Sequence, residues 1–393
     1  MCGKIRATIV FAALFFLVFH SAAYARNVLD VETNMSLWWT VWEDTENGAR
    51  APYTSEEAAQ AASGFNLKQG RVILRFEDTD NKLGGYAQIR LEERTAILDL
   101  YGMWEPFSFF KLYLGQMKVP STYEVLTSDA ELDFISRTTL SENITDWSLS
   151  RALYFNALYG IRSYLRDTGI AVKGTVGPES NRELFSYFLM MSNGLGANSY
   201  IGGDESKEFL YSNDFGNYFY GARLDVSPIK WLKVGGHYSR NYHENVLFND
   251  QKTVFDINRW SWSADARVDT RYFRLAGMYG AGQIDDDYLD SGLMHLVYSG
   301  WEAKGLVRLW KDRVECGVRY DTYTFEQDES DNVTDRNNWT FGLNVMPVPA
   351  MRIQVNYMIK DTENDYEEDI DDNIFYINFQ YRLGVRKIIG SSE

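Results

Sequence analysis

Met351-Arg352-Ile353-Gln354-Val355-Asn356-Tyr357-Met358-Ile359-Lys360 separates into two faces when read two residues at a time. Met351, Ile353, Val355, Tyr357 and Ile359 fall on one side, and Arg352, Gln354, Asn356, Met358 and Lys360 on the other. A period of two is that of a β-strand with one apolar and one wet face. The same pattern recurs in about sixteen segments of roughly ten residues, as expected of an all-β transmembrane antiparallel barrel.

The predicted strands lie near residues 35–43, 71–77, 86–92, 95–104, 109–118, 167–176, 183–192, 215–226, 229–240, 256–269, 270–282, 293–309, 313–324, 338–346, 350–360 and 373–383. Connections at 105–108, 227–228, 269–270, 310–312 and 347–349 are short. Those that follow the first and every odd strand from the fifth onward are long. An even strand number with short turns on one side and long loops on the other is the asymmetry of outer-membrane barrels, with both termini in the periplasm.

The start of the chain predicts how it reaches that membrane. Lys4 and Arg6 precede an apolar run over 7–19, and Ala23-Tyr24-Ala25 supplies the small-x-small pattern of signal cleavage. Residues 1–25 therefore read as a removed signal peptide, leaving 26–393 as a single barrel domain. No later stretch approaches the roughly 18 uninterrupted apolar residues of a membrane-spanning helix. The mean hydropathy of -0.34 does not oppose a barrel, because half of each strand faces water.

Aromatic residues make up 15% of the chain, with 26 Tyr and 11 Trp, a supply that suits aromatic girdles at two membrane interfaces. There are only seven Pro, in keeping with residues that must donate to a sheet ladder. Cys2 leaves with the signal and Cys316 stands alone between Val314 and Val318 on one strand face. No disulfide, no Cys-x-x-Cys-His haem site and no metal pair is expected, so no cofactor or metal is assigned. The formal charge of -16 argues against a nucleic-acid partner. Acidic runs at 285–287, 328–335 and 361–372 are expected in the outer loops. Clustered carboxylates there suit divalent cations that bridge to lipopolysaccharide and other outer-membrane lipid.

If the apolar faces meet lipid, parity turns Arg75, Lys111, Arg319, Arg352 and Arg382 inward with Lys173, Arg223, Lys304 and further cations, opposite Asp99, Asp225, Asp265, Glu302 and Asp321. A midplane Arg or Lys facing lipid costs about 2–4 kcal/mol, so inward placement is favoured. The inner wall is thus mildly cationic in an acidic chain. The connection at 119–166 is the longest and carries Trp147, Leu149, Leu153, Phe155, Leu158 and Ile161 at partly helical spacing. That much apolar surface must fold onto something, either inward to narrow a pore or onto the rim or a neighbouring subunit.

Leu114-Gly115-Gln116-Met117-Lys118-Val119-Pro120, followed by Leu126-Thr127-Ser128 and Phe134-Ile135-Ser136-Arg137, resembles the hallmark of the phosphate-selective porin O and P family. Arg166-Asp167-Thr168-Gly169-Ile170 and Arg319-Tyr320-Asp321-Thr322 are similar to other stretches of that family. The resemblance implies a sixteen-stranded porin, usually a homotrimer, whose third outer loop folds into the channel with Lys118 and Arg137 at or near the constriction. Lys111, Arg75 and Arg319 join them as expected pore residues by parity. Ser121-Thr122-Tyr123 stands where phosphate-specific members continue with basic residues, and Glu124, Asp129, Glu131 and Asp133 add negative charge. Passive, weakly anion-preferring diffusion of small hydrophilic solutes, among them phosphate or other small anions, is the expected function.

Two other classes compete. One is a barrel that sheathes a multihaem cytochrome supplied by other chains. The other is a barrel enzyme, against which His237, His243 and His295 show no recognisable catalytic spacing.

Overall fold

The computed structural model describes residues 27–43, 64–91, 96–144, 166–177, 183–194, 209–211, 218–248, 253–288, 292–310, 313–327, 332–364 and 373–389. The expected signal peptide at 1–25 and the apolar part of the long connection at 145–165 lie outside them.

The strands are β1 (Asn27–Glu43), β2 (Gly64–Asp78), β3 (Leu83–Arg90), β4 (Ala96–Phe107), β5 (Phe110–Lys118), β6 (Arg166–Val176), β7 (Phe185–Ser192), β8 (Phe209–Tyr211) and β9 (Phe219–Ile229). They continue with β10 (Leu232–Phe248), β11 (Thr253–Asp269), β12 (Phe273–Tyr288), β13 (Gly292–Leu309), β14 (Val314–Gln327), β15 (Asn332–Val348), β16 (Met351–Asn364) and β17 (Asn373–Ile389). Each pairs antiparallel with its neighbour, and β17 returns to β1 over an unbroken ladder from Asn27↔Ile389 to Glu43↔Asn373. The sheet is therefore closed. The three-residue β8 pairs with Val246–Phe248 of β10, beyond the stretch that β9 covers, so it extends the slot of β9. Sixteen strands make the ring, the number read from the sequence.

Parity holds around the ring, as β13 illustrates. Tyr298, Gly300, Glu302, Lys304 and Leu306 are buried inside, while Trp301, Val307 and Leu309 are exposed outside. Exposed apolar side chains on neighbouring strands, among them Leu74, Leu114, Ile170, Leu189, Val234, Leu275, Phe341 and Phe379, give the barrel an apolar outer surface. Inside, polar and charged residues are buried. This inversion of a soluble core is the arrangement of a barrel that meets lipid with its outer face.

One expectation needs correction. The acidic run Asp285-Asp286-Asp287 is not loop: it belongs to β12 and pairs with His295, Met294 and Leu293 of β13. Strands of 14–18 residues in β10–β17 exceed the roughly 9–11 that cross a bilayer, so these hairpins keep their ladder beyond the membrane and shorten the loops. Arg386 and Lys387 also continue β17 and pair with Asp30 and Leu29 of β1.

The register makes a direct prediction for single cysteines in a Cys316→Ser background. Arg75→Cys and Arg382→Cys should react with a membrane-impermeant thiol reagent, and their outward neighbours Leu74→Cys and Phe379→Cys should not. The reverse pattern would mean a register wrong by one.

Candidate functional site

Residues 119–144, which follow β5, begin against their own strand and then leave it. In the sixteen-membered ring β14 lies opposite β5, and the segment bonds to β13–β16 on that far side. It therefore crosses the interior. Local sequence makes it a chain of short turns that begin on hydroxyl residues. Thr122 caps α1 (Tyr123–Leu126) through Val125 N, Ser128 caps a 3-10 turn at Asp129–Glu131 through Ala130 N, and Thr138 caps α2 (Thr139–Asn143) through Ser141 N.

A crossing segment leaves carbonyls with no ladder partner, and inward-facing side chains supply the missing donors. Arg223 Nη1 donates to Ser121 O at 3.2 Å, and Arg352 Nη2 donates to Leu132 O at 2.6 Å. Asn344 donates to Asp133 O at 2.9 Å, and Arg319 Nη1 to Ser136 O at 2.7 Å. Ile135 N donates to Asn356 Oδ1 at 2.9 Å, and Tyr298 OH to Ile144 O at 3.2 Å. Apolar side chains of the segment fit where the wall has only glycine. A Cβ at Gly280 would stand 2.4 Å from Ile144 Cδ1, and one at Gly342 would stand 2.8 Å from the Phe134 ring.

The strongest anchor is ionic. Lys304 Nζ lies 2.9 Å from Glu124 Oε1, both side chains almost fully buried, and Tyr123 OH donates to Glu302 beside them. Glu124 also accepts from Thr138 N at 2.9 Å and Thr138 Oγ1 at 3.0 Å, which ties α1 to α2. Burial would raise the Glu124 pKa, but the charges of Lys304 and Arg319 and these hydrogen bonds outweigh it and hold the carboxyl at about 2. Asp129 behaves the same way: burial raises its pKa, and Arg137, Lys118, Lys68 and Arg71 bring it well below the usual range.

The expected pore residues separate into two groups. Lys118 Nζ donates to the carbonyls of Val125, Leu126 and Thr127 at 2.7, 3.3 and 3.0 Å, closing the C-terminal end of α1. Arg137 pairs with Asp129 and donates to Glu124 O at 3.2 Å and Thr127 O at 2.8 Å. Both border the lumen, and both are engaged in shaping the segment. Arg319 does not reach the lumen: it is 1% exposed beneath the segment, with Asp321 at 3.1 Å, so its assignment as a pore residue is corrected. Arg75 and Lys111 do border open space, each with a carboxylate, Glu32 at 2.9 Å and Glu105 at 2.5 Å.

That space is a cavity of about 1160 Å³ between the segment and the inner wall, bordered by side chains of β1–β7, β9 and β17. Eleven Lys and Arg face it against seven Asp and Glu. The sequence reading missed Lys68 and Arg71 of β2 and Arg166 of β6, which belong to this lining. A bulge after Ser36 of β1 shifts the pairing around Lys68, which simple alternation does not reveal. It also missed that His237 stands 2.6 Å from Ser263 Oγ and 3.4 Å from Ser261 Oγ. All three are buried, without contact to the cavity. Among the described residues no cluster of metal-ligating side chains forms.

Neither a protein-family model nor a curated protein matches the sequence. Solved structures do match in fold. OmpT, an outer-membrane protein of Vibrio cholerae, aligns in its loop-deletion form with a TM-score of 0.60 at 12% identity, over 91% of this chain and 100% of that one. The outer-membrane channel DcaP of Acinetobacter baumannii aligns at 0.59 and 12%, over 92% and 98%. An anion-selective porin from Comamonas acidovorans aligns at 0.55 and 12%, over 91% and 98%.

The pKa of Glu124 sets a pH window. A carboxyl with a lowered folded pKa contributes stability that is complete above its ordinary value of 4.5 and is lost as pH falls toward about 2. Single-channel current should be steady from neutral pH to about 5 and become noisy only below about 4. Lys304→Met strands Glu124, which costs about 3–5 kcal/mol, and should bring that noise to neutral pH. Quiet current in this variant would show that the ion pair does not hold the segment. Across the described residues, the closed ladder, apolar exterior and shared fold give this chain the sixteen-stranded barrel fold of outer-membrane porins.

Proposed function

We propose that the protein is a diffusion porin for small hydrophilic solutes with a weak preference for anions. The observation that carries this reading is the excess of cationic side chains around the cavity in a chain whose formal charge is -16. Outer acidic charges are screened over about 8 Å at physiological salt, whereas lining charges act on a passing ion near contact. The anion selectivity of the Comamonas acidovorans porin is in keeping with it. Tight phosphate selectivity is not favoured, because most of the lining cations already hold carboxylates or carbonyls.

The crossing segment also counts against the cytochrome sheath, since it occupies the bore that such a partner would fill. Assembly as a homotrimer, a form in which Vibrio cholerae OmpT has been solved, and outer acidic contacts to lipopolysaccharide complete the proposal.

Reversal potentials in planar bilayers test it. Wild type should prefer chloride over potassium by a small factor at about 0.15 M salt, where screening is as stated. Arg75→Glu with Lys111→Glu should move the potential toward cations, and neutralising Asp285, Asp286 and Asp287 should move it far less. A cation-selective wild type would transfer the filter to the acidic outer strand ends.

A further inference from the structure

The lumen wall carries a row of aromatic rings where a water-filled pore would be expected to be polar. Strand register builds the row. Arg75 pairs with Tyr86, Tyr86 pairs with Tyr101, and Lys173 pairs with Phe188, all inward. Tyr86 and Tyr101 stack with centroids 5.1 Å apart, and Tyr113 meets Tyr101 edge-on at 5.5 Å. Lys173 Nζ sits 4.7 Å from the Tyr113 centroid and 4.0 Å from that of Phe188, while Arg75 covers Tyr86 at 5.5 Å. A continuous row thus runs across β2–β7, with a cation at each end of the tyrosines, and all six residues border the cavity.

Packing explains part of it, because Tyr113 and Phe188 support the base of the crossing segment together with Met117 and Val125. It does not explain Tyr86, which is half-buried and outside that cluster, or the state of Lys173. Among the described residues Lys173 makes neither an ion pair nor a hydrogen bond. Arg75 and Lys111, by contrast, each hold a carboxylate. Lys111 is also the cross-strand partner of Lys173, and like charges placed directly opposite destabilise a sheet. An ammonium that borders water, ringed by aromatic faces and set against a second cation, is a site built for an anion that also has a flat face.

We propose that this row binds small aromatic carboxylates, with the carboxylate on the Lys173 ammonium and the ring along the cavity-facing edge of the tyrosine row. Such anions dwell in the cavity longer than aliphatic ones of equal charge. The inference rests on the channel reading for its transport consequence, but binding itself does not require conduction.

Two measurements on the full mature chain keep the two apart. In planar bilayers, benzoate should block chloride current at about one-tenth the concentration that acetate needs, the gain expected of one good ring contact. Calorimetric titration of benzoate and acetate into the detergent-solubilised barrel should show the same order. Lys173→Gln should remove the response to benzoate. Tyr101→Leu, and Tyr86→Leu as a variant outside the packed cluster, should reduce benzoate to the acetate level while chloride conductance persists. Equal responses to benzoate and acetate in wild type, or benzoate binding undiminished in Lys173→Gln, would overturn the proposal. A barrel that binds benzoate by calorimetry but conducts no chloride would overturn the porin reading and leave this one standing.

Discussion

The buried pair of Lys304 and Glu124 fixes the interior of this barrel. A segment that leaves one strand and crosses to the opposite wall loses solvent on its backbone, and each lost hydrogen bond must be replaced. One charge pair, with Glu302 and Tyr123 beside it, anchors the crossing at its start. Neutral and cationic donors on β9 and β13–β16 then take the carbonyls one after another. Replacing one partner leaves the other charged and dry, so the anchor behaves as a single unit.

From that anchor follows the division of the lumen. One half is filled by α1, α2 and the turns between them, and its wall residues Arg319, Asn344, Asn356 and Tyr298 serve the segment and not a solute. Among the described residues the other half stays open along β1–β7, and the cationic surplus lines it. Net charge of the chain and sign of the path therefore differ. Acidic groups gather on strand ends beyond the bilayer, and basic groups remain on the wall that borders the open space.

Much of this was legible in the sequence, for a physical reason. Period-two alternation is forced wherever one face meets lipid and the other meets water, so Met351 to Lys360 announces itself without any neighbour. Parity then placed Arg75, Lys111 and Arg319 inward correctly. It could not say which inward residues meet water, because that depends on where the crossing segment lies. Arg319 and Arg75 are equivalent by pattern and opposite in exposure. Lys118 and Arg137 were expected at the constriction from a family-like motif. Their partners, the carbonyls at the end of α1, follow from a fold of the segment that no periodicity encodes. The extent of β12 and β17 was also hidden, since above and below the bilayer the ladder persists without an apolar face to mark it.

The most direct test of the divided lumen compares two conservative cysteines in a Cys316→Ser background. Ser186 borders the open cavity, and Thr340, 1% exposed, faces inward beneath the segment. A small water-soluble thiol reagent applied to the channel in a bilayer should modify Ser186→Cys and lower the current, and should leave Thr340→Cys unmodified over the same time. Equal modification of both positions would contradict the account, because it would mean that water and solutes reach the half of the barrel assigned here to the crossing segment.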